Sequence, residues 1–260
     1  MRLRLITMLA VVLVLCIIVS SCDITSQTTP AKEAAVDIPQ ATTIASPDAT
    51  ASPKTTATTS APAGDNTCND LLVLVDKTHA LPASYVPPDL VPLGSAGIPV
   101  ASASLQGRRI LLADLQRLFR DASSAHINLI VDSPYRSYAE QAALYASYVQ
   151  QYGQAATDRF SAKAGHSQHQ LGTAIDFSTL EIADRLDQSF ATTKAGIWMA
   201  ANAYRYGFSL SYPQGEEAVT GYEFEPWHYR YVGGANALAL RQSGLIMQTY
   251  LQQFGPLPHC

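Results

Sequence analysis

The sequence predicts an α+β fold, a small antiparallel sheet with helices packed against it, from two periods. Apolar residues recur at helical spacing in three segments, and in alternation or short apolar runs in five others. The two kinds of segment follow one another irregularly, without the βαβ succession that a parallel sheet requires.

Order is expected to begin near Cys68, where Leu71-Leu72-Val73-Leu74-Val75 forms an apolar run. Pro82, Pro87 and Pro88 then preclude a helix over 81–88, because proline lacks the N–H and restricts the residue before it. Leu111, Leu115, Leu118 and Phe119 fall at i, i+4, i+7 and i+8, the stripe of a helix lying on a core. Ile127, Leu129 and Val131 alternate with the mixed pair Asn128 and Ile130, which predicts a half-buried strand. Ser137 and Glu140 have the spacing of a capping box, and Leu144, Tyr145, Tyr148 and Val149 continue a helical stripe up to Gly153. Ala174 to Phe177 reads as a short buried strand, and Ala195 to Tyr206 as a helix stopped by Gly207. Phe208 to Tyr212 and Tyr222 to Val232 read as two further strands.

The chain of 260 residues divides into three parts. Residues 1–21 are expected to be a signal peptide: Arg2 and Arg4 precede an apolar run from Leu5 to Val19, which small residues close. The run is short for a membrane span, so an uncleaved anchor is the lesser alternative. Residues 22–66 are dominated by Thr, Ser, Ala and Pro and carry no hydrophobic period, as expected of a disordered stalk. As a flexible coil such a stalk reaches on the order of 35 to 40 Å. Residues 67–260 form the expected catalytic domain.

Hydrophobic residues make up 47% of the chain, enough for one core once the tails are set aside. With 17 Lys plus Arg against 21 Asp plus Glu, the net charge of -4 gives no basic surface, and nucleic acid is excluded as the expected partner. Oligomeric state is not readable. Of four cysteines, Cys16 would leave with the signal, and Cys68 and Cys260 stand at the ends of the domain. An oxidising exterior lets those two pair, with two free thiols as the alternative.

Three of the six histidines sit in two polar segments, Gly165-His166-Ser167-Gln168-His169-Gln170-Leu171-Gly172-Thr173-Ala174-Ile175-Asp176 and Glu225-Pro226-Trp227-His228. His169, Asp176 and His228 supply the three N and O ligands of a catalytic zinc site, with a fourth position left for water; other divalent ions could occupy the same set. Gly172 allows a turn between the first two ligands. Glu225 is the candidate general base, and a solvated strand-end carboxylate is the alternative. In a regular strand Glu225 and His228 would face opposite sides, so sharing a site requires Pro226 to bend the chain or Glu225 to lie in the preceding loop. His166 is close enough to compete as a ligand or support one, whereas His79, His126 and His259 carry no pattern. Trp227 and Tyr229 are expected to pack beside the site.

Over most of residues 70–235 these segments resemble VanY-type D-alanyl-D-alanine carboxypeptidases and related LD-carboxypeptidases. These are zinc peptidases that share a core with lysostaphin-like enzymes and the sonic hedgehog signalling domain. The resemblance rests on Ser133-Pro134-Tyr135-Arg136-Ser137 with Gln141 and Leu144-Tyr145, on Ser167-x-His169-x-x-Gly172-x-Ala174-x-Asp176, and on Glu225-Pro226-Trp227-His228-Tyr229-Arg230-Tyr231-Val232-Gly233. It implies a hedgehog-like peptidase fold, zinc on His169, Asp176 and His228, Glu225 as base, and Arg136 stabilising the tetrahedral intermediate. It also implies that Gln141 and Ser167 help hold substrate. Ala164 stands where many relatives have proline, and Gln168 where many have glutamate.

Val19-Ser20-Ser21-Cys22 likewise resembles the lipobox of bacterial lipoproteins, which implies a lipidated Cys22 and an extracytoplasmic domain tethered to the cell membrane. The implied activity is removal of the terminal D-alanine from peptidoglycan stem peptides. Cleavage of cross-links within the wall, or wall binding without catalysis, are the alternatives.

Overall fold

The computed structural model describes residues 68–253. The expected signal peptide, Cys22, the stalk, His259 and Cys260 lie outside the described residues. Cys68 is engaged in a disulfide bond. No helix among the described residues is long and apolar enough to cross a membrane.

A two-stranded antiparallel ribbon, β1 (Leu90–Pro92) with β2 (Gln106–Arg108), precedes α1 (Leu112–Ser124). The main sheet follows in pieces: β3 (Ile130–Ser133), β4 (Ala174–Ser178), β5 (Phe208–Leu210) and β6 (His228–Tyr231), in spatial order β3-β4-β6-β5 and antiparallel throughout. Between β3 and β4 lie α2 (Tyr138–Tyr152) and α3 (Gln154–Phe160), and α4 (Lys194–Asn202) precedes β5. The short α5 (Glu217–Thr220) separates β5 from β6, and α6 (Gly234–Ser243) and α7 (Met247–Gln252) close the described chain. This is the α+β architecture that the sequence predicts.

Alternation along two strands gives the sheet its two faces. Ile175 and Phe177 of β4 and Tyr229 and Tyr231 of β6 enter one core with Leu115, Leu118 and Phe119 of α1 and Met199 of α4. Phe177 meets the rings of Phe119, Phe208 and Tyr229 at centroid distances of 6.2, 5.9 and 6.0 Å. The residues between them, Asp176 on β4 and His228 and Arg230 on β6, therefore face away from this core. Arg230 is fully buried on that far side, where its Nη2 donates to the carbonyls of Leu71 (2.9 Å) and Val73 (2.6 Å) and pins the apolar run that opens the domain.

The α1 stripe is buried as expected, with Leu111, Leu115 and Leu118 at 0% exposure. Ser137 and Glu140 form the capping box, each side chain bonding the other's backbone N–H. The helix from Lys194 passes into a 3-10 turn over Ala203–Tyr206 and ends at Gly207, whose φ of 81° a side chain would not tolerate here. An added Cβ would lie 2.6 Å from the Tyr231 ring.

Three expected strands differ in extent: the one over Ile127–Val131 begins only at Ile130 and runs to Ser133, the one over Phe208–Tyr212 stops at Leu210, and the last is much shortened. Only His228–Tyr231 of the Tyr222–Val232 segment is strand. Upstream, the Glu225 N–H bonds the Tyr212 carbonyl, and the His228 N–H turns back to the Glu225 carbonyl across Pro226. The chain therefore enters the strand through a turn, which is the arrangement that a shared site for Glu225 and His228 requires.

Candidate metal centre and cleft

Strand register brings two of the candidate ligands together. Asp176 of β4 pairs directly with His228 of β6, and opposite residues of an antiparallel pair project from the same face. His169 comes from a 3-10 turn, Gln168–Leu171, which leads straight into β4. Ser167 caps that turn, its Oγ accepting the His169 N–H at 3.3 Å. Gly172 closes it at φ 67°, where a Cβ would come within 3.0 Å of Arg108.

The ligand atoms of His169, Asp176 and His228 all lie within 4.8 Å of one another, and all three residues are buried. His169 Nε2 is 3.2 Å from Asp176 Oδ2, and His228 Nδ1 is 2.8 Å from Asp176 Oδ1. The two rings meet edge to face, 4.9 Å apart. On its outer side the His169 Nδ1 donates to the Pro134 carbonyl at 2.6 Å, which leaves Nε2 with its lone pair inward. Two imidazoles and a carboxylate converging in this way fit a zinc ion by number and type. His166 instead points its Nδ1 at the Asp76 carbonyl, 2.8 Å away, and stands outside the cluster.

The buried setting sets the charges. Burial works against the Asp176 carboxylate, but His169 and His228 beside it hold its pKa well below the usual range. Burial pushes His169 down from 6.5 to about 4. In metal-free protein His169 is thus harder to protonate in the fold than in the unfolded chain, so its contribution to stability is complete above pH 6.5 and is lost as pH falls through about 4. Thermal melting in chelator across that window is expected to show the decline.

Glu225 sits in the turn before β6, 8% exposed, with Oε2 3.8 Å from His228 Nδ1. Burial, and then the charge of Asp176, raise its pKa well above the ordinary carboxylate value. Such a group takes a proton more readily than an exposed glutamate, which suits a general base that must later act as an acid.

The β3 register shifts between Val131 and Ser133, so that Ser133 pairs with Asp176, and Arg136 follows just past the end of that strand. The Arg136 Nη1 donates to Gln141 Oε1 (2.7 Å) and its Nη2 to Ser133 Oγ (2.8 Å), while its backbone N–H bonds the His169 carbonyl (3.3 Å). The Gln141 amide nitrogen in turn donates to the Ala162 carbonyl at 2.6 Å. Both Gln141 and Ser167 line the cleft, but each already has work within the fold: Gln141 steadies Arg136, and Ser167 caps the His169 turn.

The cleft, of about 450 Å³, is lined by His169, Asp176, His228, Glu225 and Arg136 together with Gln141 and Ser167. Its walls include residues that sequence reasoning left aside. Tyr148 and Phe160, with rings 5.2 Å apart, line it, as does Tyr212, 4.9 Å from the His228 ring. Trp227 lines the cleft while packing on the core, and Tyr229 is within the core. Tyr212 ends the apolar alternation that begins at Phe208, but nothing local ties that residue to His228.

A small antiparallel sheet with helices on its apolar face and a His-Asp-His set on the other defines a hedgehog-like peptidase fold. Residues 105–234 match the model of the VanY family, described as D-alanyl-D-alanine carboxypeptidase. The Bacillus subtilis protein YodJ is 35% identical over 191 residues, covering 71% of this chain and 68% of that one. Among solved structures, the LdcB LD-carboxypeptidase matches with a TM-score of 0.66 at 33% identity, over 71% of this chain and 87% of that one. A mutant of the vancomycin-resistance D,D-pentapeptidase VanY, in complex with Zn(II), matches with a TM-score of 0.58 at 30% identity, over 69% and 98%. The chain belongs to the VanY carboxypeptidase family.

Proposed function

We propose that this protein is a zinc-dependent carboxypeptidase that hydrolyses the C-terminal D-alanine from peptidoglycan stem peptides. The observation that carries the reading is the convergence of His169, Asp176 and His228, with Glu225 3.8 Å from His228 in the same cleft. The D,D-pentapeptidase VanY solved with Zn(II) supports the metal, and that protein together with the LD-carboxypeptidase LdcB supports the substrate class.

His169, Asp176 and His228 would hold the ion. When bound, the metal supplies Lewis-acid polarisation of the scissile carbonyl and lowers the pKa of water. Glu225 takes a proton from the attacking water as its oxygen bonds to the carbonyl carbon. As the C–N bond breaks, Glu225 returns that proton to the departing amine of D-alanine. The Arg136 guanidinium, braced by Gln141 and Ser133, presents fixed positive charge where the oxyanion develops. Tyr148, Phe160 and Tyr212 give the cleft apolar walls that exclude water from around the reacting bond.

Incubation of the full chain with synthetic tetrapeptide and pentapeptide stems tests the substrate class. Release of one D-alanine from the pentapeptide marks D,D-activity, and release from the tetrapeptide L,D-activity. Two intact peptides alongside cleaved cross-linked wall fragments would replace this reading with an endopeptidase. Arg136→Met is expected to lower kcat by about 10²–10³-fold, the usual cost of losing an oxyanion donor, with zinc content unchanged. An unchanged kcat would remove Arg136 from catalysis.

We place the domain outside the cytoplasm, tethered by lipid on Cys22 and a stalk over residues 22–66; the sequence Val19-Ser20-Ser21-Cys22 supports this. Cys22→Ser is expected to move the protein from the membrane to the soluble fraction. Continued membrane retention would contradict lipid anchoring.

A further inference from the structure

One buried side chain at the metal centre is used by neither the ligand set nor the acid/base chemistry. Gln168 precedes His169 yet reaches across to His228, with Oε1 3.2 Å from His228 Nε2. The same oxygen accepts the Ser211 hydroxyl at 2.8 Å, and the amide nitrogen donates to the Val75 carbonyl at 3.5 Å. A backbone carbonyl can only accept, so the nitrogen of the amide belongs on the Val75 side and its oxygen on the His228 side.

Both ring nitrogens of His228 face an oxygen, Nδ1 that of Asp176 and Nε2 that of Gln168; once Nδ1 gives its lone pair to a metal, the proton of the neutral ring belongs on Nε2, facing Gln168 Oε1. A neutral imidazole with its proton on Nε2 has its lone pair on Nδ1, the atom 2.8 Å from Asp176 Oδ1. His169 is set in the reverse sense, Nδ1 bonded to the Pro134 carbonyl and Nε2 toward Asp176. The two histidines thus present different nitrogens to the centre, each fixed by an acceptor outside the ligand set.

We propose that Gln168 is a positioning residue whose Oε1 keeps the His228 proton on Nε2 and so reserves Nδ1 for the metal. The inference rests on the zinc reading above. The sequence places a neutral amide here, where many relatives of the resembled family have glutamate. This chain therefore orients the histidine without adding a third buried carboxylate beside Asp176 and Glu225.

The test uses the full chain with 15N-labelled histidine, competition with a chromophoric chelator for zinc affinity, and long-range proton–nitrogen spectra for the His228 tautomer. The unsubstituted chain is expected to bind zinc with His228 coordinated through Nδ1 and protonated on Nε2. Gln168→Met should bind zinc about 10–100-fold more weakly, the usual cost of losing such an outer partner, and Gln168→Glu, which keeps an acceptor, at least as tightly as the unsubstituted chain. Affinity of Gln168→Met within about twofold of the unsubstituted chain, or coordination through Nε2, would overturn the proposal. Should Gln168→Met not fold, the unsubstituted spectrum and Gln168→Glu decide: binding of the latter about tenfold weaker also overturns it. An unsubstituted chain that takes up no zinc overturns the metal reading itself and this inference with it, before any variant is compared.

Discussion

Glu225→Gln should lower kcat by about 10²–10⁴-fold, the range for loss of a positioned general base, while zinc stays bound at the same affinity. The separation of the two effects follows from geometry. Glu225 Oε2 lies 3.8 Å from His228 Nδ1, in the turn before the strand rather than in the ligand cluster. The other carboxylates lining the cleft are differently engaged: Glu223 is paired with Arg159, and Asp187 holds Arg185 and Ser189. Removing a carboxylate that burial makes costly to ionise is not expected to lower the melting temperature. Single-turnover kinetics with zinc measured by elemental analysis checks both halves, and full activity of a zinc-loaded Glu225→Gln enzyme would take Glu225 out of the mechanism.

Asp176→Ala is expected to abolish activity by a different route, through loss of the metal. Asp176 stands between the two histidines, 3.2 Å from one and 2.8 Å from the other, so its removal takes away a ligand and the charge that favours a cation there. Zinc should raise the melting temperature of the unsubstituted chain through preferential binding to the folded state, and should leave that of Asp176→Ala unmoved. A normal zinc-induced shift in the variant would show that Asp176 is not a ligand.

Local periods made much of the fold and centre legible. The α1 stripe, the capping box at Ser137 and Glu140, and the buried run Ala174–Phe177 each follow from side chains close in sequence. The ligand set was legible because only a few histidines stand near other polar residues, and β4 and β6 then pair Asp176 with His228.

What was not legible depended on distant partners. Tyr222-Glu223-Phe224-Glu225 alternates like a strand, but the Glu223 and Glu225 N–H groups bond the Arg159 and Tyr212 carbonyls and that of Tyr222 bonds Thr220 Oγ1, rather than a sheet ladder. No expectation was formed for α6, whose buried residues are only Ala237 and Leu240 and whose Leu238 is 45% exposed, too narrow a stripe to stand out. The family resemblance implies a substrate contact for Gln141; its bond to Arg136 appears only once α2 is packed. The link from Gln168 to His228 spans 60 residues and has no local signature.

The most direct test of a zinc-dependent D-alanine carboxypeptidase is mass spectrometry of a synthetic pentapeptide stem incubated with the full chain, with chelator, and with chelator followed by excess zinc. Loss of a single D-alanine in the first and third samples, and none in the second, is the predicted result. Loss that persists in chelator, or an intact pentapeptide in the presence of zinc-loaded protein, would contradict it.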